Sequence, residues 1–318
     1  MGESFAFYIF YYYICLNKVF KTEDMFSYIG GKSKIGKWIK EFIPTDIETY
    51  VEPFSGAFWV YYNMDLTKYP NLKRVVYNDF NKVNANLFAC VRKYKEFFEY
   101  IKDIPAQEKD RFIEYQKGAF EDFDFDPDEP NFQKGLEYIY VVTQVFSGIR
   151  PETSNFVDLK GKYSSKFNAF RNKLNNPKFF NHFDKITHVR HGDFQDVVEE
   201  FDSPTTYFYL DPPYWKTEDY YSNQDFDRED HERLAEVLSN IQGKYSLSYY
   251  HFDLLEEMYN RDTHRWANKE YAKSAGAVAG KKQSKGNELL IMNYNDTSWQ
   301  DVILEKEDIS ESSFGESK

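Results

Sequence analysis

Short apolar runs recur along this chain, and each closes on a polar or acidic turn. Tyr50-Val51 leads into Glu52-Pro53-Phe54, and Arg74-Val75-Val76-Tyr77 into Asn78-Asp79. Ile186–Val189 leads towards His191-Gly192-Asp193, Thr205–Leu210 into Asp211, and Lys244–Ser248 into Tyr249-Tyr250. Glu288–Met292 is a sixth such run. Helical spacing fills several gaps between them. Val83, Leu87 and Val91 stand four apart within Asn81–Lys95, and Leu234 and Leu238 do so within Arg228–Ile241. Strands alternating with helices predict an α/β sheet of parallel strands. Ligands in such sheets bind outside the carboxyl ends of the strands. Four strand ends carry an acid there: Glu52, Asp79, Asp193 and Asp211. Residues 92–183 lack strand alternation and read as a helical insertion.

Composition narrows the chemistry. The formal net charge of the 318 residues is −12, which by itself argues against nucleic acid. The acid is concentrated, however, in Glu121–Glu129 and in the tail after Glu305, while residues 160–190 and 269–285 are basic. A local basic face can hold phosphates on an acidic protein. Two cysteines, Cys15 and Cys90, form no framework, so a reducing cytoplasm is expected. The histidines lack ligand spacing, and no metal is expected. Phe5–Phe20 is apolar but too short to span a bilayer comfortably, and no membrane partner is expected. Met25 precedes the first motif, so residues 1–24 read as an extension.

Asp211-Pro212-Pro213-Tyr214 carries the most specific chemistry. An exocyclic aromatic amine is a poor nucleophile because its lone pair is delocalised into the ring. The Asp211 carboxylate and the Pro212 carbonyl could each accept one of its N–H groups and stabilise the positive charge that develops on attack. Two prolines stiffen the turn that aims these acceptors. Tyr214 offers a flat face for a flipped base. Taken alone, the tetrapeptide is equally a proline-terminated strand.

In this setting the tetrapeptide resembles that of the amino-methyltransferases, and the motif order resembles the Dam family of DNA adenine methyltransferases. Tyr28-Ile29-Gly30-Gly31-Lys32 is similar to the family's first cofactor motif, and Glu52-Pro53-Phe54-Ser55-Gly56 to its second. Tyr77-Asn78-Asp79 matches an acidic strand end, Gly192-Asp193-Phe194 the motif beside the cofactor's adenine, and Asn287-Glu288-Leu289-Leu290 a late strand. Phe58 stands where the family often has a second glycine.

The resemblance implies a Rossmann-like methyltransferase sheet with a helical target-recognition insertion, in the α-group motif order. It implies S-adenosyl-L-methionine as cofactor, held by Tyr28, Gly30, Gly31, Lys32, Glu52, Phe54, Ser55, Gly56, Asp79, Asp193, Phe194 and Asp211. Asp211, Pro212, Pro213 and Tyr214 would be catalytic. Double-stranded DNA would be the partner, met by Arg150, Lys162, Lys166, Lys281 and Lys282, with a role of the restriction-modification kind. The expected layout is a catalytic domain over 25–91 and 184–304, target recognition over 92–183, and an acidic tail over 305–318. Methylation of RNA or of a protein amide, and a non-catalytic DNA-binding subunit, are the rival readings.

Overall fold

The computed structural model describes residue 32 and residues 35–145, 150–157, 166–215, 226–272 and 285–295. Seven strands form one sheet: β1 (Thr49–Glu52), β2 (Arg74–Asn78), β3 (Ile186–Arg190), β4 (Thr206–Leu210), β5 (Lys244–Tyr249), β6 (Arg265–Ala272) and β7 (Lys285–Met292). Their order is β3-β2-β1-β4-β5-β7-β6. The first five are parallel, and β7 is antiparallel to both β5 and β6. The expected α/β sheet of parallel strands forms over β1 to β5, and the antiparallel strands β7 and β6 extend it into a mixed sheet. All six expected strands form. The seventh, β6, begins before the stretch 269–285 that reads as a basic loop, and its residues 269–272 are strand. Its sequence does not mark it as a strand, because it is an edge strand whose exposed Asn268, Lys269 and Glu270 interrupt any apolar alternation.

The central strands are apolar on both faces, as a sheet covered by helices requires. Tyr50, Val75, Tyr77, Tyr207 and Tyr209 face one core, which the helices of residues 82–185 complete. Val51, Val76, Phe208, Leu210 and Leu247 face the other, beneath helices Phe194–Phe201 and Arg228–Asn240. Both helices read from spacing are present, as Lys82–Arg92 and Arg228–Asn240. Each has a side-chain cap: Asn81 accepts from the N–H groups of Val83 and Asn84, and Asp227 forms a capping box with Asp230.

Helices Tyr94–Ile101, Lys109–Ala119, Phe132–Val142, Lys166–Leu174 and Pro177–Lys185 make up the described part of the insertion. Their buried faces share one continuous cluster with the sheet. The acidic run does not project freely. Asp122 pairs with Lys82, and Asp128 with Arg92 at 2.5 Å, so the run lies along helix Lys82–Arg92. Part of the basic stretch is likewise consumed internally. Arg171 donates to the carbonyls of Lys102 and Ile104, Lys185 to that of Leu72, and Lys173 is buried.

The chain order sets the location of the site. From β1 the sheet grows outward through β2 and β3, then resumes with β4 on the other side of β1. The loops after β1 and β4 thus leave in different directions and border a crevice at the switch point. Antiparallel β7 enters at that same edge, with Leu289 opposite Tyr249 at the end of β5.

Candidate active site

On the β1 side, acids and amides stitch a loop shut. Glu52 is buried and accepts from the Tyr50 hydroxyl at 2.6 Å and the Tyr61 amide at 3.1 Å. Burial pushes its pKa well above the ordinary glutamate value despite those donors. Asp79, at the end of β2, accepts from the amides of Asn81 (2.8 Å) and Gly56 (3.2 Å) and from the Asn84 side chain (3.0 Å). Burial raises it to about 6, against the pull of those hydrogen bonds. Asn78 adds three clasps. Its amide donates to Ser55 Oγ, its carbonyl accepts from the Ser55 amide, and its side chain donates to the Pro53 and Gly192 carbonyls. Sequence reasoning passed over Asn78; its place before a strand-end Asp was the available signal.

Two residues of this loop take left-handed backbone, Gly56 at φ 50° and Phe58 at φ 58°. Glycine pays no steric cost there, whereas a phenylalanine does. Phe58 is held by its ring, which is fully buried against Tyr50, Tyr61, Tyr62, Tyr77 and Phe88 at centroid distances of 4.6–6.4 Å. Phe58 thus holds a backbone conformation that glycine adopts without strain.

Beyond β2 the groups are more open. Phe80 is 53% exposed, although Asp79 before it is buried. Phe54 stacks on Phe194 at 5.3 Å, and the Arg233 guanidinium covers the Phe194 ring at 4.2 Å. Asp193 caps helix Phe194–Phe201 through the Gln195 amide and pairs with Arg233 at 2.7 and 2.9 Å. Burial raises its pKa, but Arg233 outweighs that and leaves it lowered.

The β4 side is built differently. Lys32 Nζ lies 2.7 Å from Asp211 Oδ1 and 3.0 Å from Glu288 Oε1, with its side chain only 7% exposed. It also donates to the Tyr214 hydroxyl, which in turn donates to Glu288 Oε1. Burial pulls the lysine pKa down, yet the two carboxylates more than offset this and hold it above the ordinary value. Asp211 is raised instead. Burial dominates, and Glu288 repels its anion while Lys32 attracts it. One cation shared by two anions explains the rise at the lysine, while at Asp211 the repulsion from Glu288 adds to the larger effect of burial. The Tyr214 ring meets Tyr250 edge-on at 4.6 Å. The late-strand motif contains Glu288 without indicating its place in the site, because antiparallel β7 brings it there from a distant part of the chain.

Lys32, Asp211 and Tyr214 thus meet at one point, while Glu52, Ser55 and Gly56 lie at the adjoining end of β1 and its loop, tied to Asp79 at the end of β2. Asp193 and Phe194 lie on the next strand end. Tyr28, Gly30, Gly31, Lys162, Lys281 and Lys282 fall outside the described residues. Arg150 is exposed in a turn whose Pro151 and Ser154 carbonyls accept from Gln116. Lys166 opens helix Lys166–Leu174, half-buried, with its pKa lowered by burial. Among the described residues, no group of His, Cys, Asp and Glu is arranged to hold a metal, and no helix is long and apolar enough to cross a membrane.

Residues 28–274 match the family described as D12 class N6 adenine-specific DNA methyltransferase, a span that takes in Lys32, Gly56, Asp79, Asp193, Asp211 and Tyr214. The chain belongs to that family. The D12 methyltransferase is also 25% identical over 306 residues to the type II methyltransferase M.MjaIII of Methanocaldococcus jannaschii, covering 86% of this chain and all of that protein. It is 21% identical over 271 residues to the type II methyltransferase M.CviBI of Paramecium bursaria Chlorella virus NC1A, covering 83% and 97% of the two chains. The enzyme is a DNA adenine-N6 methyltransferase, and the mixed sheet is consistent with that class.

Proposed function

We propose that this enzyme transfers the methyl group of S-adenosylmethionine to N6 of an adenine swung out of double-stranded DNA, at the crevice between β1 and β4. The observation that carries this reading is the position of Asp211. It is a carboxylate at the end of β4, 19% exposed at the side chain, and held by a buried lysine at the switch point.

The residues beside β2 suit a nucleoside-bearing donor. Asn78 Oδ1 is buried without a hydrogen-bond partner among the described residues. A Cβ on Gly192 would meet nothing within 4 Å, so the backbone there borders open space. Phe80 presents an exposed ring, and Asp79 lies where ribose hydroxyls are received in such sheets. Gly56 allows a close backbone approach. When bound, S-adenosylmethionine supplies an electrophilic sulfonium methyl group.

Asp211 and the Pro212 carbonyl then accept the two amine hydrogens and orient the nitrogen lone pair. The negative surplus of the Asp211–Lys32–Glu288 set offsets the positive charge that grows on nitrogen as the new N–C bond forms and the methyl's bond to sulfur breaks, its electron pair leaving with the sulfur. Asp211 takes the proton the amine must lose. Tyr214 packs against the base, which unstacks at a cost of a few kcal/mol. Arg150 and Lys166 contact the duplex, with the insertion reading its sequence. Both relatives are named type II methyltransferases, which supports a role in site-specific modification.

The test is methyl incorporation from labelled S-adenosylmethionine into unmethylated duplex DNA, with RNA and protein as parallel acceptors. Label recovered as N6-methyladenine from duplex DNA is the expected result. Label confined to RNA or protein would overturn the substrate assignment.

A further inference from the structure

We propose that Glu288 is a positioning residue for methyl transfer, acting through Lys32 and the Tyr214 hydroxyl to set the charge and placement of Asp211. The proposal rests on Asp211 being the amine acceptor. Three observations carry it. Glu288 is fully buried, so its charge acts on the few groups around it with little screening by water. Its Oε1 receives both Lys32, at 3.0 Å, and the Tyr214 hydroxyl, the same two groups that meet Asp211. Its Oε2 is buried with no hydrogen-bond partner among the described residues, so its charge is not dissipated into backbone amides as that of Glu52 is.

Lys32 cannot swing fully to either carboxylate without abandoning the other. Glu288 therefore holds the lysine back from neutralising Asp211 outright. Without it, Lys32 would pair with Asp211 alone, and the acceptor would be a weaker base turned towards the ammonium. Without Lys32, two buried anions would face each other and Asp211 would be harder to ionise. The other groups that face Asp211 are Glu52 on β1, Tyr209 on β4 and Tyr214 beyond it; Tyr271 on β6 faces Lys32 and Glu288. The tyrosines remain neutral in the working range, since burial raises Tyr209, Tyr214 and Tyr271 above the ordinary phenol value.

Ionised Asp211 accepts the amine, so the rate rises as pH climbs through its pKa. The two variants should move that limb in opposite directions. E288Q should shift it down by about half a unit or more, and K32M should shift it up by a similar amount. The measurement is the single-turnover rate of methyl transfer to unmethylated duplex DNA between about pH 5 and about pH 9. E288Q should also lose about tenfold in the plateau rate, with its affinity for S-adenosylmethionine within about threefold of the wild type. E288D keeps the charge and should keep the wild-type limb at a reduced rate. A limb unmoved in E288Q, or moved in the same direction as in K32M, overturns the proposal. If E288Q fails to fold, E288D decides: a shifted limb there would overturn it. D211A separates the two levels. An active D211A enzyme defeats the acceptor reading itself, whereas an inactive D211A beside an unmoved E288Q limb defeats only the role of Glu288.

Discussion

The two sides of the switch point use buried carboxylates in opposite ways. On the β1–β2 side, Glu52 and Asp79 take hydrogen bonds from the amides of Tyr61, Gly56 and Asn81 and from neighbouring side chains, and no lysine or arginine pairs with them among the described contacts. On the β4–β7 side, Asp211 and Glu288 share one lysine and a tyrosine hydroxyl. Amide donors fix the shape of a loop and spread its charge over several dipoles. A shared cation keeps charge localised and adjustable. The first arrangement suits a rigid cradle, the second a centre where charge changes during reaction. Fold and chemistry are thereby separated across one β-strand, even though the residue types are the same.

That contrast can be broken most severely at Gly56. G56V would place a β-branched residue at φ 50°, a conformation such residues rarely adopt, and so distort the loop. Affinity for S-adenosylmethionine should fall by about a hundredfold or more, measured by calorimetry, with the fold preserved by circular dichroism. The next effect concerns stability. F58G would relieve left-handed strain of about 1–2 kcal/mol but forfeit a buried ring worth about 3–5 kcal/mol. Packing wins, so urea unfolding should show a net loss of about 2 kcal/mol. Equal or higher stability would mean that strain, not packing, dominates there. The smallest effect is expected at Arg233. Its pair with Asp193 is about one-third exposed on both sides, and solvent screens such pairs to about 0–1 kcal/mol. R233Q should therefore unfold within that margin of the wild type and leave the methyl-transfer rate nearly unchanged.

Much of this architecture could be read from the sequence because the sheet interior is covered on both faces. Val75, Val76 and Tyr77, or Tyr207 to Leu210, form apolar runs whose strand identity follows from their turns. The site was legible as far as it sits at parallel strand ends, where Glu52, Asp79, Asp193 and Asp211 announce themselves. It was not legible where tertiary pairing decides. Edge strand β6 has no burial pattern to give it away. Glu288 reaches Lys32 across 256 positions of sequence only because β7 runs antiparallel. Arg171, Lys173 and Lys185 read as a basic face, yet their ammonium and guanidinium groups are drawn into packing and backbone carbonyls. Spacing records local period, not which distant carbonyl a long cationic side chain will find.

The central claim is that Asp211 accepts the adenine amine during transfer. It is tested most directly by single-turnover methylation of duplex DNA with D211A saturated with S-adenosylmethionine. The account predicts cofactor affinity within about threefold of the wild type and a methyl-transfer rate lowered by about a thousandfold, the scale seen when one preorganised acceptor or donor is removed from a transition state. A rate within about tenfold of the wild type would contradict it.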